Sequence, residues 1–193
     1  YSPELVGQYD FARSFVFAVG TICLLGFDLS ILYFKGRLAS ADALEELKKI
    51  YLKMIAMLFA TSVISLVIIL LIDEKAVNSY FEGPEVYSIF LKGTATLFFY
   101  GMATLNVEVI RALDKLYVAE LFRNIIKYIP LIIGSVVLFY WHKETYLVDV
   151  FLIGFVFIAL FSTILVLSYF NKTVPLKITA MYSHKEVFLK SYT

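Results

Sequence analysis

Four cations sit inside, or at the ends of, runs otherwise too apolar to hold them: Arg13, Lys92, Arg123 and Lys127. A charge in hydrocarbon costs about 2.5–3.5 kcal/mol on insertion scales, so it reaches the interface, takes a partner or faces a wet cavity. In a dehydrated cavity, Arg and Lys make strong charge-assisted hydrogen bonds to phosphate oxygens. The chemistry on offer is the lining of a cationic or polar cavity rather than bond-breaking. Asn106 could add a ligand contact, or serve equally as glue between helices. Asp28 places an acid in another apolar run, where it could couple or gate a movement, or simply pair with Lys35. Pro130 and Gly134 lie one helical turn apart and mark a kink or hinge. Glu108 projects away from Lys92 and is read as a structural partner of Arg111, three residues on.

Reactive constellations are missing from the sequence. It contains no HExxH, GxSxG or Walker-type loop. "DEK" and "ALDK" fall on opposite sides of the membrane in the topology below, so no acidic pair suits Mg²⁺–diphosphate chemistry. Cys23 is the only cysteine, and His142 and His184 lie in different connecting segments, which permits neither a disulfide nor a Cys/His metal site. No enzymatic activity, metal or cofactor is expected. A net charge of +1 without a Lys/Arg block argues against a nucleic-acid partner.

The elements that must position these residues are membrane helices. Hydrophobic residues make up 61% of the 193-residue chain, charged ones 17%, and mean hydropathy is +0.82. Soluble domains carry about 25% charged residues. A bilayer core takes about 20 apolar residues per helix. Residues 11–34, 50–72, 86–110, 119–141 and 148–170 are read as five transmembrane helices of an all-α membrane protein. "SVISLVIILLI" is rich in β-branched residues, but it is too long and too little alternating for a strand. Short polar connections leave no domain linker, so residues 1–170 form one bundle and 171–193 a tail or the start of an inter-bundle linker.

At about 100° per residue, the polar groups fall into stripes. Arg13, Gly20, Thr21 and Asp28 share a wedge of the first span. Ser88, Lys92, Thr96 and Asn106 share one on the third, and Arg123, Lys127, Pro130 and Gly134 one on the fourth. The second and fifth spans offer only Ser and Thr. A bundle lining a hydrophilic cavity needs such an asymmetry. The competing reading is that the cations snorkel to the headgroups and line nothing.

Orientation follows from the 17 Lys and Arg residues. Thirteen fall on one side, among them Lys35, Arg37, Lys48, Lys49, Arg111, Lys115 and the tail lysines; Arg13, Lys75, Lys92 and Lys143 fall on the other. The positive-inside rule then puts Tyr1 outside and the tail in the cytoplasm.

The opening "YSPELVGQYDFARSF" is a Gly- and Pro-bearing turn that runs straight into an apolar helix. Its Val6-Gly7-Gln8-Tyr9 turn, the Leu25-Gly26-Phe27-Asp28 element, "VIRALDK" and "LFRNIIKYIPLIIG" resemble polysaccharide (O-antigen-type) flippases. These belong to the multidrug/oligosaccharidyl-lipid/polysaccharide exporter superfamily. The resemblance spans about Tyr1 to Phe170. It implies most of one six-helix bundle of a two-bundle transporter, with a helix expected before Tyr1 and a C-terminal half as partner. The implied function is flipping of a polyprenyl-diphosphate-linked oligosaccharide across the cytoplasmic membrane by alternating access. Arg13 and Lys92 would serve the outer part of the cavity, Arg123 and Lys127 its cytoplasmic entrance, and the lipid tail would stay among the membrane lipids. Two alternatives stand beside this: a cation-coupled multidrug exporter relying on Asp28, and a non-transporting membrane scaffold with a dry interior.

Overall fold

The computed structural model describes residues 1–38, 43–81 and 83–173. Helix α1 (Pro3–Leu24) starts where its sequence invites a start. Ser2 Oγ accepts the Leu5 N–H at 3.3 Å, Pro3 fills a first-turn position that needs no amide donor, and Glu4 meets the positive end of the dipole.

The first expected span does not continue as one helix. Leu25 (φ 51°) and Gly26 (φ 71°) both turn left-handed, ending α1 and starting α2 (Phe27–Arg37). Glycine enters that region freely, whereas a leucine there is strained by roughly 1–2 kcal/mol and must be held by its surroundings. Ser30 Oγ braces the step by donating to the Gly26 carbonyl at 2.8 Å.

Next come α3 (Ala43–Leu70), a short α4 (Glu74–Tyr80) and α5 (Val86–Ala112). α4 occupies what reads as a plain connection, and Asp73 caps it by accepting the Lys75 N–H at 3.1 Å. The fourth expected span is also interrupted. It consists of α6 (Leu116–Asn124), a 3-10 turn (Ile126–Tyr128) and α7 (Ile129–Tyr140). α8 (Leu147–Thr173) follows; the expected tail lies, from residue 174 on, outside the described residues.

Among the described residues, four segments are long and apolar enough to cross a membrane: Pro3–Arg37, Ala43–Leu70, Leu116–Tyr140 and Glu144–Asn171. The chain is a multi-pass membrane protein, with no strand among the described residues. Apolar side chains face outward, since only 17% of the Ala43–Leu70 window and 11% of the Leu116–Tyr140 window are buried. Phe59, Ile64, Ile132, Phe157 and Ile164 all stand exposed. Water would not tolerate so broad an apolar belt, but a bilayer solvates it.

α5, read from the sequence as the third of five spans, is not one of the four. It packs against α1, α2, α3, α4, α6 and α8 at the centre of the bundle. Because protein surrounds it, α5 can bury Thr94, Thr96, Asn106 and Glu108, which make it less apolar than a lipid-facing helix. Its 27 residues extend about 40 Å at the α-helical rise.

Candidate functional site

Side chains from α1, α2, α5, α6, the 3-10 turn, α7 and α8 line one cavity of about 430 Å³. It gathers four residues singled out by type and spacing: Arg13, Asp28, Arg123 and Lys127. The helix breaks place two of these. The left-handed Leu25–Gly26 step sets Asp28 in the first turn of α2, and the interruption after Asn124 sets Lys127 in the 3-10 turn.

Each charge has a distinct environment. Arg13 is half exposed, 3.5 Å from Asp10, with its guanidinium 5.8 Å from the centre of the Phe17 ring. Arg123 donates to Glu108, whose side chain is only 6% exposed. Glu108 also lies 3.3 Å from Arg111 Nη1, and Arg111 in turn donates to Glu120 of α6. Lys127 Nζ rests 4.8 Å from the Tyr128 ring centre. Neither Lys127 nor Asp28 has an ion-pair partner among the described residues. Lys35, the partner open to Asp28, pairs with Asp114 at 3.4 Å instead.

The rest of the wall is largely aromatic, with Tyr9, Phe17, Tyr100, Phe151 and Phe155. Tyr9 meets Phe151 edge-on at 5.2 Å, and Phe17 stacks on Tyr100 at 5.5 Å. Gly20 permits this approach, because a Cβ there would lie 2.3 Å from the Tyr100 ring. Sequence reasoning overlooked this wall. Its one local signal is Phe17, a helical turn beyond Arg13.

Lys92 and Asn106 do not line the cavity. Lys92 Nζ lies 2.7 Å from Asp149 Oδ1 and ties α5 to α8 in a partly exposed pair. Exposed pairs contribute about 0–1 kcal/mol. Lys92→Ala is therefore expected to leave the melting temperature in detergent close to wild type. Asn106 is fully buried. It accepts from Tyr51 at 2.6 Å and donates to Ser162 and Thr163 at 2.8 Å each, joining α5 to α3 and α8 from within.

Pro130 lies in the first turn of α7, directly after the break, rather than bending a continuous helix. Gly134 brings α7 against α8, for a Cβ there would lie 2.2 Å from Val150 Cγ1. Pro130 seats similarly over Gly154, where a Cβ would be 3.2 Å away. Small residues let helix backbones approach where lipid offers no hydrophobic drive between helices.

No protein-family model, curated protein or solved structure matches the chain. What speaks for a function is the geometry: cations and rings converging on one cavity inside a membrane bundle.

Proposed function

We propose that the chain acts in a membrane transporter that flips a polyprenyl-diphosphate-linked oligosaccharide across the cytoplasmic membrane by alternating access. The observation that carries the reading is the convergence of Arg13, Arg123 and Lys127 on one aromatic-walled cavity. A diphosphate needs cations in a place poor in water, where charge-assisted bonds are strong. Lys127, held by a ring and not a carboxylate, is open to a phosphate oxygen. The aromatic wall offers flat apolar faces to sugar rings, and the polyprenyl tail stays in lipid along the exposed belt.

Interrupted helices support the same reading, since transporters form their sites where membrane helices break and alternate access by rocking one bundle against another. In this reading α5 is a fifth crossing helix, and the α6–α7 break with Pro130 is the hinge. The ends of α5 and α6 that carry Arg111 and Lys115 face the cytoplasm, and a second helical bundle closes the cavity. Asp28 on the same wall is the observation that favours the alternative, a cation-coupled exporter.

Single cysteines at Thr104 and Leu131 of the cavity wall, in a Cys23→Ser background, test this in the full-length protein. A membrane-impermeant thiol reagent should label both, and the lipid-linked oligosaccharide should protect them. Protection by an organic cation instead would select the exporter. Failure of both positions to label would mean a dry interior and leave only the scaffold.

A further inference from the structure

Of the charged residues on the cavity wall, Glu108 alone is buried. It stands between two guanidiniums. Its Oε1 accepts from Arg123; its Oε2, 3.3 Å from Arg111 Nη1, makes no aligned hydrogen bond among the described residues. Arg123, on the wall itself, keeps 41% of its side chain exposed. The cation offered to a ligand is thus already occupied from behind by a carboxylate.

We propose that Glu108 is a specificity-determining residue. It competes for Arg123 and so admits a multiply charged phosphate while turning away chloride and other monovalent anions. This rests on the anion-recognition reading above. A monovalent anion brings to Arg123 the same charge that Glu108 already supplies, and it must lose its freedom of movement to do so. Glu108 is tethered and loses little, so the monovalent anion fails. A diphosphate carries several charges over spread oxygens and can engage Lys127 and Arg123 together, which no single carboxylate can match.

Arg111 makes the exchange feasible. A buried carboxylate stripped of every cation is heavily penalised. When Arg123 turns to phosphate, Arg111 is still within reach of the open Oε2. Glu120 holds Arg111 from its other side, so the four side chains alternate in sign from the surface of α6 to the cavity. Loss of one contact is taken up by the next.

Calorimetric titration of inorganic pyrophosphate into the detergent-solubilised full-length protein tests the proposal. It is run at low and high chloride, with ionic strength held by a bulky sulfonate. Wild type should bind pyrophosphate with little response to chloride. Glu108→Gln should bind it about tenfold more tightly at low chloride, in the usual range for a coupling between neighbouring sites, and should lose that gain as chloride rises. The charge-balanced pair Glu108→Gln with Arg111→Gln should show the same chloride sensitivity, which guards against misfolding of the single variant. A Glu108→Gln protein that binds no more tightly, or more tightly but without response to chloride, overturns the selectivity role. Wild type that binds no pyrophosphate at all overturns the anion-recognition reading, and the selectivity role with it.

Discussion

Arg123→Met should abolish anion binding and lower thermal stability more than any other single change on the cavity wall. The reason lies in its buried partner on the same wall. Glu108, with 6% of its side chain exposed, loses the guanidinium that donates to it. Removing one partner of a fully buried pair costs about 3–5 kcal/mol. Arg123 is 41% exposed and Arg111 stands 3.3 Å from Glu108, so solvent screening and the second cation bring the expected loss below that range. Adding Glu108→Met should restore most of the stability, because an apolar pair removes the stranded charge. Anion binding should stay absent. Lys127→Met provides the contrast: its ammonium rests on a ring at an exposed site, so binding should fall while the melting temperature holds. Melting curves and pyrophosphate titrations on the four proteins separate these outcomes. Arg123→Met that melts with wild type would show that the pair contributes nothing to the fold.

Asn106→Leu is the second large effect, and it acts on the fold instead of the ligand. Tyr51 and Asn106 are both fully buried, and the substitution removes the Asn106 Oδ1 to which the Tyr51 hydroxyl donates at 2.6 Å, leaving Thr163 as the other side chain near enough to bond it. An orphaned buried polar group costs about 1–3 kcal/mol. Ser162 retains the Ala159 carbonyl at 3.2 Å, and Thr163, freed from the Asn106 amide, can accept from Tyr51, which places the expected loss toward the lower end. Tyr51→Phe combined with Asn106→Leu should recover much of it, since replacing both partners removes the unmet donor. Interhelical hydrogen bonds in membranes average about 0.6 kcal/mol in double-mutant cycles, so the coupling should lie nearer one than three. Unfolding in mixed micelles measures it, and strictly additive effects would deny the bond. Pyrophosphate binding should survive in Asn106→Leu. A folded variant that no longer binds would return Asn106 to the site.

The length and apolarity of its runs decide by themselves that this chain is helical and membrane-borne. Backbone groups in hydrocarbon must be satisfied within each segment, and runs without alternation leave only the helix. Helix limits lie near the expected ones in two runs, 86–110 against α5 at Val86–Ala112 and 148–170 against α8 at Leu147–Thr173, whereas 50–72 misses the charged first turns of α3 at Ala43–Leu70, which hydropathy does not register. Hydropathy is blind to dihedral angles, so 11–34 and 119–141 read as continuous although Leu25–Gly26 and the turn after Asn124 divide them. The Glu108–Arg111 contact is legible because three residues on a helix fix the distance. The Glu108–Arg123 pair is not, because it requires α5 to reverse through Asp114 at φ 61° and lay α6 alongside. A polar stripe states a direction but names no neighbour. Lys92 and Asn106 share a stripe, yet one meets Asp149 at a partly exposed surface and the other meets Tyr51, Ser162 and Thr163 in the core. Only the packing of α5 among the other helices decides which polar groups face a cavity and which face protein, because that choice depends on atoms far away in the chain.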